Sequence, residues 1–116
     1  MNLEIINNSN EDLVVKLHGE MDAQGCSDLR PELERIASSE TNGNVVLDMG
    51  QVSFLDSSGV GVIVFLYKRL KGRNRKLEIC EAQGQPQELM ELLRIDKVIP
   101  VGVDSSADHT FEESHG

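Results

Sequence analysis

The 116-residue sequence has few aromatic residues and no long hydrophobic segment. It contains three Phe, one Tyr and no Trp. The core must therefore be aliphatic, and few rings are present on which nucleic acid bases could stack. No apolar run approaches the roughly 20 residues that cross a bilayer, and no N-terminal stretch combines a basic start with an apolar core. We therefore expect a cytoplasmic protein with no membrane partner.

Positive charge is also scarce in this chain. Eleven Lys and Arg residues stand against 20 Asp and Glu residues, which gives a formal net charge of −9 at pH 7. A surface of this sign repels both phosphate backbones and anionic lipid headgroups. Direct binding to nucleic acid is therefore not expected.

Cysteine and histidine do not form a metal-binding pattern. Cys26 and Cys80 lie far apart in sequence, without neighbouring metal ligands, and we expect two reduced, mostly buried thiols. A disulfide between them stays open at this level. His109 and His115 fall in the polar C-terminal stretch, where solvated side chains are expected. No pattern predicts a cofactor.

The spacing of apolar residues predicts one α/β domain. Residues 45–49 (VVLDM) form a near-continuous apolar run, which is typical of a strand covered on both faces. Residues 19–22 (GEMD) interrupt the alternation that precedes them, so we expect a strand to end there. Strands are predicted at residues 3–6, 13–18, 45–49, 76–81 and 97–101, and helices at 23–38, at 57–71 and from Pro86 onward.

This order of elements favours a small mixed, mainly parallel sheet with helices packed on it. We expect the domain to occupy residues 1–103. Residues 104–116 are polar and acidic, without apolar periodicity, and are predicted to be a flexible tail.

One stretch, FLDSSGVG at residues 54–61, places an acid and two hydroxyls where a strand leads into a helix. An aspartate or serine there is an ordinary N-cap. A helix N-terminus at the carboxyl edge of a parallel sheet also tolerates an anion, such as a phosphate on Ser57 or Ser58. Gly59 and Gly61 each cost up to about 1 kcal/mol relative to Ala in a helix. We therefore expect a partner or an adjacent backbone to approach them closely.

Catalytic patterns around these serines are incomplete. A serine hydrolase elbow has glycines two residues before and two residues after its nucleophile. Ser57 has only Gly59 at the right distance, and Ser58 has neither glycine. The sequence therefore does not predict a serine nucleophile.

An aspartate-phosphorylated, receiver-like domain is a further alternative. Asp22, Asp48 and Asp56 could hold Mg²⁺ in such a protein. That arrangement needs paired acids after the first strand and a lysine near the last one, and Lys97 is the only candidate for the lysine.

Two segments, HGEMDAQ (18–24) and VVLDMGQVSFLDSSGVGVIVFLYKRLK (45–71), resemble the STAS-domain anti-sigma-factor antagonists. The similarity extends over residues 3–101. In that family the unmodified protein binds an anti-sigma factor that is also a serine kinase, and this frees the sigma factor. The domain is a substrate and binding partner, so no enzymatic activity is expected.

The resemblance also implies roles for particular residues. The kinase would phosphorylate the first serine of DSSG, here Ser57, and a PP2C-type phosphatase would remove the phosphate. The family commonly closes with another helix after the last strand, which residues 104–116 do not predict. A STAS module that controls a phosphatase or a biofilm regulator is the nearest alternative. The implied partner-binding residues are Asp22, Asp56, Ser57, Ser58, Gly59 and Gly61.

Overall fold

The computed structural model describes residues 1–7, 12–39 and 43–102. The predicted tail at residues 104–116, including His109 and His115, lies outside these residues. The strands are β1 (Asn2–Asn7), β2 (Leu13–Met21), β3 (Val45–Leu55), β4 (Leu77–Cys80) and β5 (Val101–Gly102). The α-helices are α1 (Ala23–Ser38), α2 (Ser57–Lys71) and α3 (Gly84–Leu92).

The five strands form one sheet in the order β1-β2-β3-β4-β5. β1 is antiparallel to β2, and every later neighbouring pair is parallel. Each parallel connection passes through a helix, because two parallel neighbours cannot be joined by a tight turn. The predicted mixed, mainly parallel α/β sheet is confirmed.

The core is aliphatic, as the shortage of aromatic residues predicts. One face of β3 is fully buried through Val45, Leu47 and Met49, whereas Val46 and Asp48 between them are only half-buried. The prediction that residues 45–49 are covered on both faces is therefore wrong. Large side chains that complete the core come from β2, α1 and α2, and they include Leu17, Met21, Leu29, Leu33, Ile63, Leu66 and Leu70.

β2 and β3 both continue beyond the ends that the sequence predicts. The pairing runs on through Glu20 with Phe54 to Met21 with Leu55. The register between the two strands shifts once between Lys16 and His18 and again between Gly19 and Glu20. Gly19 has a φ of +120°, which glycine adopts readily. The expected strand break at residues 19–22 is wrong for this reason, since a glycine in a strand often marks a bulge and not its end.

The last predicted strand, at residues 97–101, is also wrong for most of its length. Ile95–Lys97 form one turn of 3₁₀ helix, and β5 contains only two residues. Pro100 has no backbone N–H to give to a ladder, but its carbonyl accepts the Ile79 N–H at 2.8 Å. Ile99, an apolar residue of the predicted strand, is buried and contributes to the core.

Across residues 1–7, 12–39 and 43–102, no helix has the length and apolar character that a membrane span requires.

Candidate functional site

The candidate site lies at the carboxyl ends of β2 and β3, where each strand leads into a helix. Met21 and Leu55 are paired at this edge of the sheet, and the Asp56 N–H donates to the Met21 carbonyl oxygen at 3.3 Å. Asp22 and Asp56 follow these paired residues directly. The strand extensions that sequence patterns miss therefore bring the two implied aspartates to neighbouring positions.

Each aspartate caps the helix that follows it. The Asp56 carboxylate accepts the N–H groups of Ser58 at 2.9 Å and Gly59 at 3.3 Å, at the start of α2. The Asp22 carboxylate accepts the Gly25 N–H at 2.9 Å, at the start of α1. The expected N-cap is confirmed and belongs to Asp56. Ser57 is therefore not needed as a cap and leaves its hydroxyl available for another use.

The third residue after each aspartate is a glycine that packs against the end of β2. A Cβ on Gly59 would lie 2.8 Å from both the Cβ and the carbonyl oxygen of Met21, and it would also overlap the Leu55 side chain. A Cβ on Gly25 would overlap the Glu20 carbonyl oxygen. The repeated D-x-x-G pattern is the sequence signal that could have identified Gly25.

Gly61 has no such neighbours, because a Cβ placed on it would meet nothing within 4 Å. Ser57 and Gly61 are both exposed, and their spacing of four places them on the same face of α2. Ser58 is only half-exposed. A partner or an adjacent backbone was expected to approach these two glycines. An adjacent backbone explains Gly59, whereas no protein atom outside its own helix lies against Gly61 among the described residues.

Gln85 in α3 is a site residue that sequence analysis misses. Its amide NH₂ donates to the Leu55 carbonyl at 2.7 Å, and its amide oxygen accepts the Leu55 N–H at 2.8 Å. β4 ends its pairing with β3 at Asp48, so Gln85 acts as a strand partner for the residue that precedes Asp56. No local pattern identifies a contact across 30 positions.

Cys26 lies within electrostatic reach of both capping carboxylates. Burial is the main reason that the pKa of its thiol is raised above the ordinary 9.0, with smaller contributions from Asp56 and then Asp22, while Arg30 acts in the opposite direction. Cys26 and Cys80 are both buried thiols that are not joined in a disulfide, as predicted. The thiol of Cys26 therefore stays neutral at physiological pH.

This raised pKa predicts a loss of stability in alkali. Above pH 9.0 the unfolded chain releases the Cys26 proton while the folded chain retains it, so the free energy of unfolding falls until the pH passes the folded pKa. Urea unfolding of the wild type and of Cys26→Ala from pH 7 to pH 10.5 isolates this contribution. The stability difference between the two proteins should shrink above pH 9, and a constant difference would contradict the assignment.

The carboxylates of the receiver-like alternative do not share a site. Asp48 precedes the end of β3 by seven residues, which at about 3.3 Å per residue places it more than about 20 Å from Asp56. Its carboxylate accepts the Gly50 N–H at 3.0 Å. Within the described part of the chain, no three His, Cys, Asp or Glu residues are grouped as metal ligands.

The comparisons with known proteins agree with the observed fold and with the family resemblance. The chain belongs to the STAS domain family, whose profile matches residues 2–114. It is 26% identical over 89 residues to the anti-sigma F factor antagonist of Paenibacillus polymyxa, covering 77% of this chain and 76% of that protein. It is 26% identical over 105 residues to the anti-sigma-B factor antagonist of Bacillus subtilis, covering 90% and 94% of the two chains.

Solved structures of SpoIIAA, a Bacillus cell fate determinant and anti-sigma factor antagonist, share the fold. The unphosphorylated form superposes with a TM-score of 0.66 at 17% identity and covers 99% of both chains. The phosphorylated form gives a TM-score of 0.70 at 16% identity, covering 91% of this chain and 96% of that one.

Proposed function

We propose that this protein is an anti-sigma factor antagonist that is switched by phosphorylation of Ser57. The unmodified protein binds an anti-sigma factor that is also a serine kinase, and phosphorylation of Ser57 releases that partner. The observation that carries the proposal is the exposed hydroxyl of Ser57 beside an aspartate that already caps the helix. The names of the two curated relatives and the existence of SpoIIAA in both phosphorylation states support it.

Exposure favours Ser57 over Ser58 as the phosphoacceptor. A kinase must surround the hydroxyl that it modifies, and Ser57 is exposed at the first turn of α2. Ser58 is half-buried and its N–H is bonded to Asp56. The side chain of Ser57 can therefore enter a partner's active site without opening the helix.

The fold tolerates the phosphate, whereas a bound partner does not. The N-terminus of α2 carries the positive end of the helix dipole, which stabilises an anion. A phosphate adds about −1.5 to −2 charges at neutral pH, at an edge that already carries Asp22 and Asp56. An interface that fits the unmodified site would then bring like charges together, which costs several kcal/mol. The switch requires no rearrangement of the sheet.

Two neighbouring features provide contact area for the partner. Gly61 leaves the surface beside Ser57 bare, so that a partner can approach the helix backbone. Phe54, three residues before Ser57, is 40% exposed although it is a large aromatic side chain. Aromatic anchors are enriched among the residues that dominate binding energy. Together with Asp22, Asp56, Ser57 and the half-buried Ser58, these residues form the proposed docking surface. Gly59 is buried and supports this surface from beneath.

The phosphorylated state must also be reversible. A PP2C-type phosphatase would reach the same exposed ester, and it is the second partner that we propose. Both reactions are carried out by the partners in the cytoplasm, and this chain contributes the substrate hydroxyl and the binding surface.

Phosphosite mapping tests the proposal. Incubation of the protein with its partner kinase and ATP should place one phosphate on Ser57. Ser57→Ala should abolish the modification, whereas Ser58→Ala, the matched control, should leave it intact. An alkali-labile acyl phosphate on an aspartate, or modification of Ser58 alone, would contradict the assignment.

A further inference from the structure

Positive charge in this acidic chain is concentrated at one place. Six of the eleven Lys and Arg residues fall within residues 68–76, and no Asp or Glu occurs from Ser57 to Leu77. The negative end of the α2 dipole favours the cations in its last turn, but the cluster continues past the helix to Arg73 and Lys76. The exposed members are Lys68, Arg69, Lys71, Arg73 and Lys76.

A groove of about 390 Å³ lies against this cluster, between the end of α2, β4 and the segment that leads into β5. We call it the basic groove. Its volume is in the range of ordinary binding pockets. Val98 in its wall is 56% exposed, and among the described residues Glu78 is the only carboxylate that lines the groove. Its lining includes Tyr67, Leu77, Val98 and Pro100, which offer apolar surface, and the cationic Lys71, Arg75 and Lys76.

The C-terminal sequence has the complementary chemistry. Residues 103–116, which lie outside the described structure, contain four carboxylates and no Lys or Arg. Their one aromatic residue, Phe111, is followed directly by Glu112 and Glu113. We infer that the segment Phe111–Glu113 docks in the basic groove of its own chain, with the ring against the apolar wall and the two carboxylates facing Lys71 and Lys76.

The connection between groove and segment is short enough for this contact. Pro100 lines the groove and stands two residues before Gly102. Eight residues lie between Gly102 and Phe111, and the nine steps along the chain span up to about 30 Å when extended, against dimensions of 37 × 31 × 22 Å for the molecule. Such a tether gives an effective concentration in the millimolar range, so individually weak ion pairs can hold the segment. The family match also extends to residue 114.

This contact is independent of the proposed switch. Ser57 and the basic groove lie at opposite ends of α2, whose 15 residues span about 20 Å. The two surfaces can therefore be altered separately.

A spin label on the tail tests the docking. Ser114→Cys carries a nitroxide in the full-length protein, with the buried Cys26 and Cys80 unlabelled. We expect strong paramagnetic broadening of the backbone amides of Leu77 and Val98, and weaker broadening in β1, which lies three strands away from β4. Phe111→Ala combined with Glu112→Gln and Glu113→Gln should remove the broadening, whereas Asp104→Asn, the control for charge outside the segment, should keep it.

Tyrosine fluorescence gives a second measurement, because Tyr67 is the only tyrosine and there is no Trp. Phe111→Ala should increase acrylamide quenching of the Tyr67 emission. Three results would overturn the inference: broadening that is undiminished in the triple variant, broadening that is strongest away from the groove, or quenching unchanged by Phe111→Ala. Broadening of an unlabelled isotope-enriched chain mixed with labelled protein would place the tail of a second copy in the groove and also overturn it.

Discussion

Ser57→Glu should bind the anti-sigma factor about a hundredfold more weakly than the unmodified protein, because a like-charge contact that costs about 3 kcal/mol changes affinity by that factor. Ser57→Asp should also weaken binding, although its shorter side chain holds the negative charge closer to the helix. Ser57→Ala should bind as tightly as the wild type and remain bound when ATP is present, because its hydroxyl cannot be esterified. Isothermal titration of each variant against the partner measures these affinities.

Stability measurements separate this effect from a folding defect. Asp56, and not Ser57, supplies the N-cap of α2. The free energy of unfolding of Ser57→Ala should therefore lie within about 0.5 kcal/mol of the wild-type value, as it does for most surface substitutions. Ser58→Ala provides a binding control one residue away. Equal affinities for the wild type, Ser57→Ala and Ser57→Glu would show that Ser57 is not the switch.

Gly59→Ala should reduce the free energy of unfolding by about 2 kcal/mol, within the range for overpacking a well-packed site. The added methyl group would lie 2.8 Å from the Met21 carbonyl oxygen, which also accepts the Asp56 N–H. This oxygen cannot withdraw without disturbing the junction of β2 and α2. Urea unfolding with an unchanged m-value would measure the loss.

Gly61→Ala is the matched control, two residues further along the same helix. Its Cβ meets nothing within 4 Å, so the substitution should stabilise the fold by up to about 1 kcal/mol through the helix propensity of alanine. Similar losses in the two variants would mean that the packing at Gly59 is not what requires glycine. Weaker partner binding by the stabilised Gly61→Ala protein would support the bare surface as a docking contact.

The helices show where sequence patterns are sufficient. The predicted bounds of α1 and α2 agree with the structure, because caps, apolar spacing and a terminal glycine are local signals. The strands show the opposite. Gly19 and Gly50 indicate breaks when neighbouring residues alone are considered, but pairing between β2 and β3 continues past both.

The residues of the candidate site also fall into those that local sequence patterns predict and those that depend on tertiary contacts. The DSSG sequence predicts an N-cap from an aspartate or a serine and a position that tolerates a phosphate on Ser57 or Ser58. The choice of Ser57 and the role of Asp22 are implied only by the family resemblance. Gln85 could not be predicted, because its contact with Leu55 depends on how α3 returns to the sheet. The different reasons for Gly59 and Gly61 also depend on tertiary neighbours that no local pattern contains.

The central claim is that a phosphate on Ser57 repels the partner while the fold stays the same. The most direct test is one titration series of the anti-sigma factor with the protein phosphorylated on Ser57 and with the same sample after phosphatase treatment, alongside amide spectra of both forms. The account predicts at least a hundredfold difference in affinity, with spectral changes confined to residues around the start of α2. Equal affinities, or changes spread through the sheet, would contradict it.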